Sequence, residues 1–166
     1  MIRIPLGNNA YCVADKRDEL LLSAYRWRLN TYRVDAPQYA ISNKRILMHR
    51  LLMEPPGSMV VDHVNHDTLD NRRRNLRVCT RKQNQHNMSL RRDSKSGFKG
   101  VSFYGGPHPW RASIQTCGKT RWLGRFCSAI DAAVAYDVAA SELFGSFACL
   151  NFPAKHHAFV ILEVRA

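Results

Sequence analysis

The sequence predicts an α+β fold in two parts: a strand–strand–helix unit with a small N-terminal α+β extension, then a three-stranded antiparallel sheet packed on one helix. Three observations predict it. Residues 60–91 read as strand, turn, strand and capped helix. Residues 98–126 hold three strand-like runs broken by Gly/Pro turns, and residues 129–144 form an Ala-rich run with helical spacing. The polar stretch "RDSKSG" at residues 92–97 has nothing to bury and reads as a linker between the parts.

The elements follow in order. In residues 1–47, "RIPL" and "AYCVA" flank a Gly7-Asn8-Asn9 turn, and "DELLLSAYRW" has helical spacing with Asp15 or Asp18 as cap. "QYAIS" and "KRILMH" alternate like strands, and "MHRLLM" runs into Pro55-Pro56-Gly57, which ends any helix there. A strand–strand–helix segment is expected over 48–91. Within it "MVVDHV" is a short apolar strand, "NHDTLDN" is rich in turn formers, and "NLRVCT" sets Leu76 and Val78 on one face with Arg77 on the other. Thr80 and Gln83 form a capping box that starts a helix at Arg81, expected to run to about Arg91.

The last domain is expected over 98–153, with residues 154–166 as a tail. "FKGVSFY", "WRASIQ" and "TRWLGRF" are its strands, separated by turns at "GGPHP" and "CGK". Ser128 and Asp131 cap "AIDAAVAYDVAASELF", which stops at Gly145 and whose small side chains let a helix lie close on a sheet. In the tail, "AFVILEV" reads as one more strand.

Charge narrows the partner. The net charge is +12, and residues 44–100 concentrate it, with 13 Lys/Arg against 5 Asp/Glu. Such a surface attracts polyanions at long range, and no basic amphipathic helix with a bulky apolar face directs it to a membrane. No apolar run approaches the length needed to cross a bilayer, and the start "MIRIPLGNNAYCV" lacks a signal-peptide core, so a cytoplasmic location is expected. The five cysteines are an odd set without a C-x-x-C pair, which excludes a disulfide framework or a zinc ribbon.

The chemistry concentrates in "VVDHVNHDTLDNRRRNLRVCTRKQN", residues 60–84. Asp62 and Asn84 offer oxygen, the donor preferred by hard cations such as Mg²⁺ or Mn²⁺. His63, next to Asp62, suits a base that takes a proton from water near neutral pH, and Asn75 is placed to orient its ring. Neighbours on a regular strand point to opposite faces, so Asp62 and His63 converge only if the strand is twisted, bulged or ending there. Arg72, Arg73, Arg74, Arg77, Arg81 and Lys82 surround these residues as phosphate-gripping candidates. His49 has two open roles, packing or contact with the site or a phosphate.

The spacing of Asp62-His63, Asn75 and Asn84 within "MHR…VVDHVNHDTLDNRRRNLRVCTRKQN" resembles the HNH, or ββα-metal (His-metal finger), nucleases, particularly the phage and intron homing endonucleases. The resemblance implies that His63 is the general base, that Asp62 and Asn84 hold one Mg²⁺ or Mn²⁺, and that Asn75 orients the base. It implies DNA hydrolysis to 3′-hydroxyl and 5′-phosphate ends, in a phage- or mobile-element-encoded enzyme inside a bacterial host. A monomer would nick, and a homodimer would cut both strands. His66 stands where such relatives usually have Gly, which leaves a second ligand or a turn residue.

Residues 97–153 carry "KGV", "W-x-A-x-I", "WLG-x-F", "AA-x-AYD-x-AA" and "LNFP" and resemble the plant ethylene-response-factor, or APETALA-type, DNA-binding domain. That resemblance implies a sheet lying in the DNA major groove, which is wide enough to admit strands. The plant arginines and glutamate are replaced here by Lys99, Ser102, Tyr104, Ser113, Gln115 and Thr120, with Trp122 kept. Alternation with Trp110, Ala112 and Ile114 puts Arg111, Ser113 and Gln115 on the other face; with Lys99, Tyr104, and Arg121 or Trp122, they are the DNA-facing candidates. The expected whole is a homing-type endonuclease acting on double-stranded DNA. The competing reading is a non-catalytic DNA-binding regulator on the same scaffold.

Overall fold

The computed structural model describes residues 1–30, 37–90 and 93–153, and the chain divides into two compact units, Met1–Gln85 and His86–Ala166. The predicted strand "AFVILEV" lies outside the described residues. The fold is mixed helix and strand with small antiparallel sheets, as the pattern predicts.

The first unit opens with a hairpin of β1 (Ile2–Gly7) and β2 (Ala10–Ala14). Asn8 and Asn9 turn it at φ of 50° and 58°, the left-handed region that asparagine tolerates in tight hairpin turns. The helix expected over "DELLLSAYRW" is cut short. A 3-10 turn at Lys16–Asp18 leads into α1 (Glu19–Ser23), and Trp27 already belongs to β3 (Trp27–Asn30), which pairs with β4 (Tyr39–Ser42). Neither Asp15 nor Asp18 caps a helix, because Asp15 accepts from the Arg73 backbone at 2.8 Å and Asp18 receives the Arg73 guanidinium. The indole of Trp27 instead donates to the Leu22 carbonyl at 2.9 Å, satisfying a helix-end acceptor.

The strand expected over "KRILMH" is also corrected. Only Leu47 makes a bridge, to Ile41, and α2 (Met48–Met53) follows because Met48, His49 and Leu52 are buried together. Glu54, in the left-handed conformation, ends α2 before the prolines. The chain then forms β5 (Val60–His63), paired antiparallel with β6 (Leu76–Cys79), and α3 (Arg81–His86). Thr80 and Gln83 make the capping box in both directions, at 3.2 and 2.9 Å. Yet α3 ends at His86, short of Arg91, because no residue of it is buried and so short a helix has little to extend it.

One core spans both the N-terminal segment and the motif: Leu6, Cys12, Ala14, Leu22, Ala40, Met48, Leu52, Val61 and Leu76. The loop between β5 and β6 is tied to β2, where Val13 donates to the Leu69 carbonyl at 2.9 Å and accepts from Asn71 at 2.8 Å. The N-terminal hairpin therefore braces the polar loop against the core.

The second unit is a sheet in the order β7 (Val101–Phe103), β8 (Trp110–Thr116), β9 (Lys119–Phe126), with α4 (Ala129–Phe144) across one face. Ser128 caps α4 by accepting from Ile130 at 3.0 Å. Val101, Ala112 and Ile114 from the sheet meet Ala132, Ala133, Tyr136, Ala139 and Ala140 from α4. The approach is close enough that Gly100, at φ +75°, lies under the Tyr136 ring, where an added Cβ would stand 1.9 Å from a ring carbon. "LNFP" is pinned by Asp137, fully buried, which accepts from the backbone of Asn151 and Phe152, each at 2.8 Å.

Candidate active site and nucleic-acid interface

Strand β5 ends at the polar residues because Val61 joins the core while the chain turns immediately after His63. Both Asp62 and His63 are buried, at 6% and 5% exposure. The ladder is regular here: Asp62 pairs with Arg77 and His63 with Leu76. Asp62 and His63 thus occupy successive positions of a ladder without a bulge, and β5 ends at His63, an ending being one of the stated conditions for convergence. They share a neighbour in Tyr39, whose ring is 6.1 Å from that of His63. Burial, and then the charge of Asp62, push the Tyr39 hydroxyl above its ordinary range.

The Asp62 carboxylate receives the Arg77 guanidinium, Nε at 2.8 Å and Nη2 at 2.7 Å, both on Oδ2. The Cys79 thiol is raised by burial and then by the charge of Asp62. Asn84 lies on α3, where its backbone donates to the Thr80 carbonyl at 3.0 Å. A carboxylate and a carboxamide fit Mg²⁺ or Mn²⁺, which commonly take one or two protein oxygens and complete their shell with water and substrate phosphate. Among the described residues no group of three or more His, Cys, Asp or Glu side chains could hold a metal ion.

Around His63, the His49 ring stands edge-on at 5.1 Å. Burial, followed by the charges of His63 and Arg50, lowers His49 to about 3, so its imidazole is neutral throughout the physiological range. His49 is thus a packing partner of the site. His63 is itself lowered from 6.5, by burial first, and the neighbouring Asn71 side chain opposes that. Asn71 is 1% exposed; its Nδ2 donates to the Leu69 carbonyl at 3.3 Å, and its Oδ1 is buried without a hydrogen-bond partner.

Sequence reasoning assigned Asn75 to orient the ring and did not single out Asn71, a buried neighbour of His63. Asn75 braces the loop: Oδ1 accepts from the Asn65 backbone at 3.0 Å and Nδ2 donates to the Asp70 carbonyl at 2.8 Å. Asn71 could have been singled out from the turn-forming "LDN", but nothing in its spacing separates it from the other asparagines. His66, exposed, has a φ of 65°, and its backbone donates to the His63 carbonyl at 3.1 Å. That is the geometry of a turn residue, in the region glycine favours.

The arginines divide into two groups. Arg72 forks onto Asp70, Arg73 onto Asp18, and Arg77 onto Asp62, so three of the expected phosphate contacts are held in internal ion pairs. A bidentate carboxylate is the stronger local partner for a guanidinium. Arg74, Arg81 and Lys82 are exposed.

The open face of the second unit carries Tyr104, Arg111, Ser113, Gln115 and Trp122, as alternation predicts. Two candidates are placed elsewhere. Lys99 is turned to the carbonyls of His86 and Met88, at 2.9 and 2.6 Å. Arg121 pairs in register with Ile114, which puts it on the helix side of the sheet.

A family model described as HNH endonuclease matches residues 53–86. An uncharacterized HNH endonuclease of Acanthamoeba polyphaga mimivirus is 31% identical over 153 residues, covering 87% of this chain and 75% of that protein. Ethylene-responsive transcription factor 3 of Nicotiana tabacum is 53% identical over 55 residues, 31% of this chain and 21% of that protein. APETALA2-like protein 2 of Oryza sativa is 43% identical over 74 residues, 45% of this chain and 17% of that protein. The chain spans about a fifth of these plant relatives. No solved structure matches the chain.

Proposed function

This chain belongs to the HNH endonuclease family, and on that premise we propose that it is a metal-dependent nuclease that hydrolyses phosphodiester bonds in double-stranded DNA. The observation that carries the reading is the buried Asp62-His63 pair at the end of β5, inside the matched segment and backed by the α3 turn that holds Asn84.

In this reading Asp62 and Asn84 hold one Mg²⁺ or Mn²⁺, and Arg77 fixes the Asp62 carboxylate between turnovers. The chemistry a bound divalent cation supplies is charge neutralisation at the scissile phosphate and at the departing 3′-oxygen. His63, neutral because burial lowers its pKa, accepts the proton of the attacking water. Asn75, which also stiffens the loop, orients the imidazole, with Asn71 buried beside it and His49 packed against its ring. The products carry 3′-hydroxyl and 5′-phosphate ends. The sheet of the second unit acts as the DNA reader, giving the two-part enzyme a homing-type layout. A viral or mobile-element origin agrees with the mimivirus relative. No helix among the described residues is long and apolar enough to cross a membrane.

The test is cleavage of supercoiled plasmid with Mg²⁺, with Mn²⁺ and with EDTA. Cutting that requires the cation supports the reading. Intact plasmid under every metal, with gel-shift binding preserved, would instead identify a DNA-binding regulator. Nicked circles as the end product mark single-strand cleavage, and direct linearisation marks paired cuts.

A further inference from the structure

We propose that Arg111 and Arg125 form a clamp for one phosphate of a duplex DNA backbone on the open face of the second unit's sheet. The proposal rests on the reading of that sheet as a DNA-binding surface and adds to it a residue, a geometry and a ligand group.

The clamp arises from an irregularity in the register. Between Ala112 and Ser113 the pairing shifts: Ala112 faces Gly124, but Ser113 faces Trp122, leaving Leu123 as an extra residue in β9. In a regular strand Trp122 and Arg125, three positions apart, would point to opposite faces. The bulge changes that phase. Leu123 packs into the core, while Trp122, opposite Ser113, and Arg125, opposite Arg111, both emerge on the open face. Simple alternation puts Arg121 and Arg125 on one face; the bulge separates them, leaving Arg125 with Trp122 on the open face and Arg121 opposite Ile114.

Two guanidiniums then stand directly opposite each other on neighbouring strands. Like charges in that position repel and destabilise a sheet unless something offsets them. No carboxylate does so: neither arginine makes an ion pair among the described residues. Aromatic rings hold them instead. Arg111 lies 4.2 Å over the Trp122 ring, and Arg111 and Arg125 lie 5.7 and 5.4 Å from the Tyr104 ring. Arg125 is fixed further by donating to the Gly105 carbonyl at 2.9 Å.

Stacking of this kind orients a guanidinium without neutralising it. Arg111 Nε is buried without a hydrogen-bond partner, so contact with a phosphate falls to the terminal nitrogens of this pre-ordered guanidinium. A backbone phosphodiester is a monoanion with two non-bridging oxygens, so one phosphate accepts from both guanidiniums at once and relieves their repulsion. The chain's net charge of +12 favours a polyanion as the source of that phosphate.

The test uses the full chain in EDTA, so that binding is read without cutting. Fluorescence anisotropy measures affinity for a labelled duplex across a range of KCl concentrations. The slope of log affinity against log salt is expected to fall in magnitude by about 0.9 in Arg125→Gln, the value for one lost phosphate contact. The same loss is expected on a second duplex of unrelated sequence, since a phosphate contact carries no base information. Arg125→Lys keeps the charge and is expected to retain the slope, which separates the clamp from a folding defect. Arg121→Gln, on the other face, is expected to leave it unchanged. An unchanged slope in Arg125→Gln, or an equal fall in Arg121→Gln, overturns the clamp. Failure of the parent to bind any duplex overturns the clamp and the DNA-binding reading of the sheet, whereas failure to cut with Mg²⁺ leaves this measurement intact.

Discussion

Arg77 donates through both Nε and Nη2 to a single oxygen of Asp62, at 2.8 and 2.7 Å, across the β5–β6 ladder. The pair is largely shielded, with 17% and 7% of the two side chains exposed. Removing Arg77 leaves a buried carboxylate without this counter-charge, a loss of about 3 kcal/mol for pairs of this type. Arg77→Met is therefore expected to unfold at lower temperature than the parent in EDTA. Mn²⁺, which neutralises the same carboxylate, is expected to raise the melting temperature of the variant more than that of the parent. Thermal unfolding with and without Mn²⁺ checks both.

Asn71 and Asn75 separate by readout. Asn71→Ala removes a buried carboxamide beside His63, and the cleavage rate is expected to fall about 10–100-fold. Asn75→Ala removes two hydrogen bonds that close the loop and is expected to cost about 1–3 kcal/mol for each buried group left unpaired. Paired rate and urea-unfolding measurements on the two variants distinguish the roles.

His49 makes stability depend on pH in a predictable direction. Its folded pKa, about 3, lies below the ordinary 6.5, so the unfolded chain binds the extra proton. Stability from this group is fully present above 6.5 and is lost as pH falls, at up to about 1.4 kcal/mol per pH unit. His49→Phe, which keeps a buried ring, is expected to flatten the slope between about pH 4 and 6 by close to one proton. Urea unfolding at several pH values measures it.

The second unit has its own weak point. Gly100→Ala puts a methyl 1.9 Å from the Tyr136 ring at a φ of +75°. Strain of that backbone class alone is worth about 1–3 kcal/mol, and the ring has to move as well. Loss of the second unit's unfolding transition at room temperature, or its shift by more than ten degrees, is the expected outcome in a thermal melt.

Much of this was legible in the sequence because local signals and burial agree. The Thr80–Gln83 box, the Ser128 cap, the Gly145 stop and the three strands of the second unit each rest on residues a few positions apart. The misjudged elements were decided over longer distances. Asp15 and Asp18 look like helix caps until Arg73, more than fifty residues on, takes them. Trp27 reads as helical until β4 pairs with it. At the site, Asp62 and His63 stand out by chemistry and spacing, but the burial of Asn71 beside His63 is set by the fold of the loop and leaves no mark in the spacing. On the sheet, one bulge separates Arg125 from Arg121, and alternation cannot register an inserted residue.

The central claim is that His63 is the base of a cation-dependent DNA hydrolysis. The most direct measurement is the cutting rate of supercoiled plasmid by the parent and by His63→Ala at saturating Mg²⁺ and Mn²⁺, with circular dichroism establishing that both are folded. The account predicts a fall of about 10²–10⁴-fold, the usual contribution of a positioned general base. A folded His63→Ala protein cutting at the parent rate would contradict it.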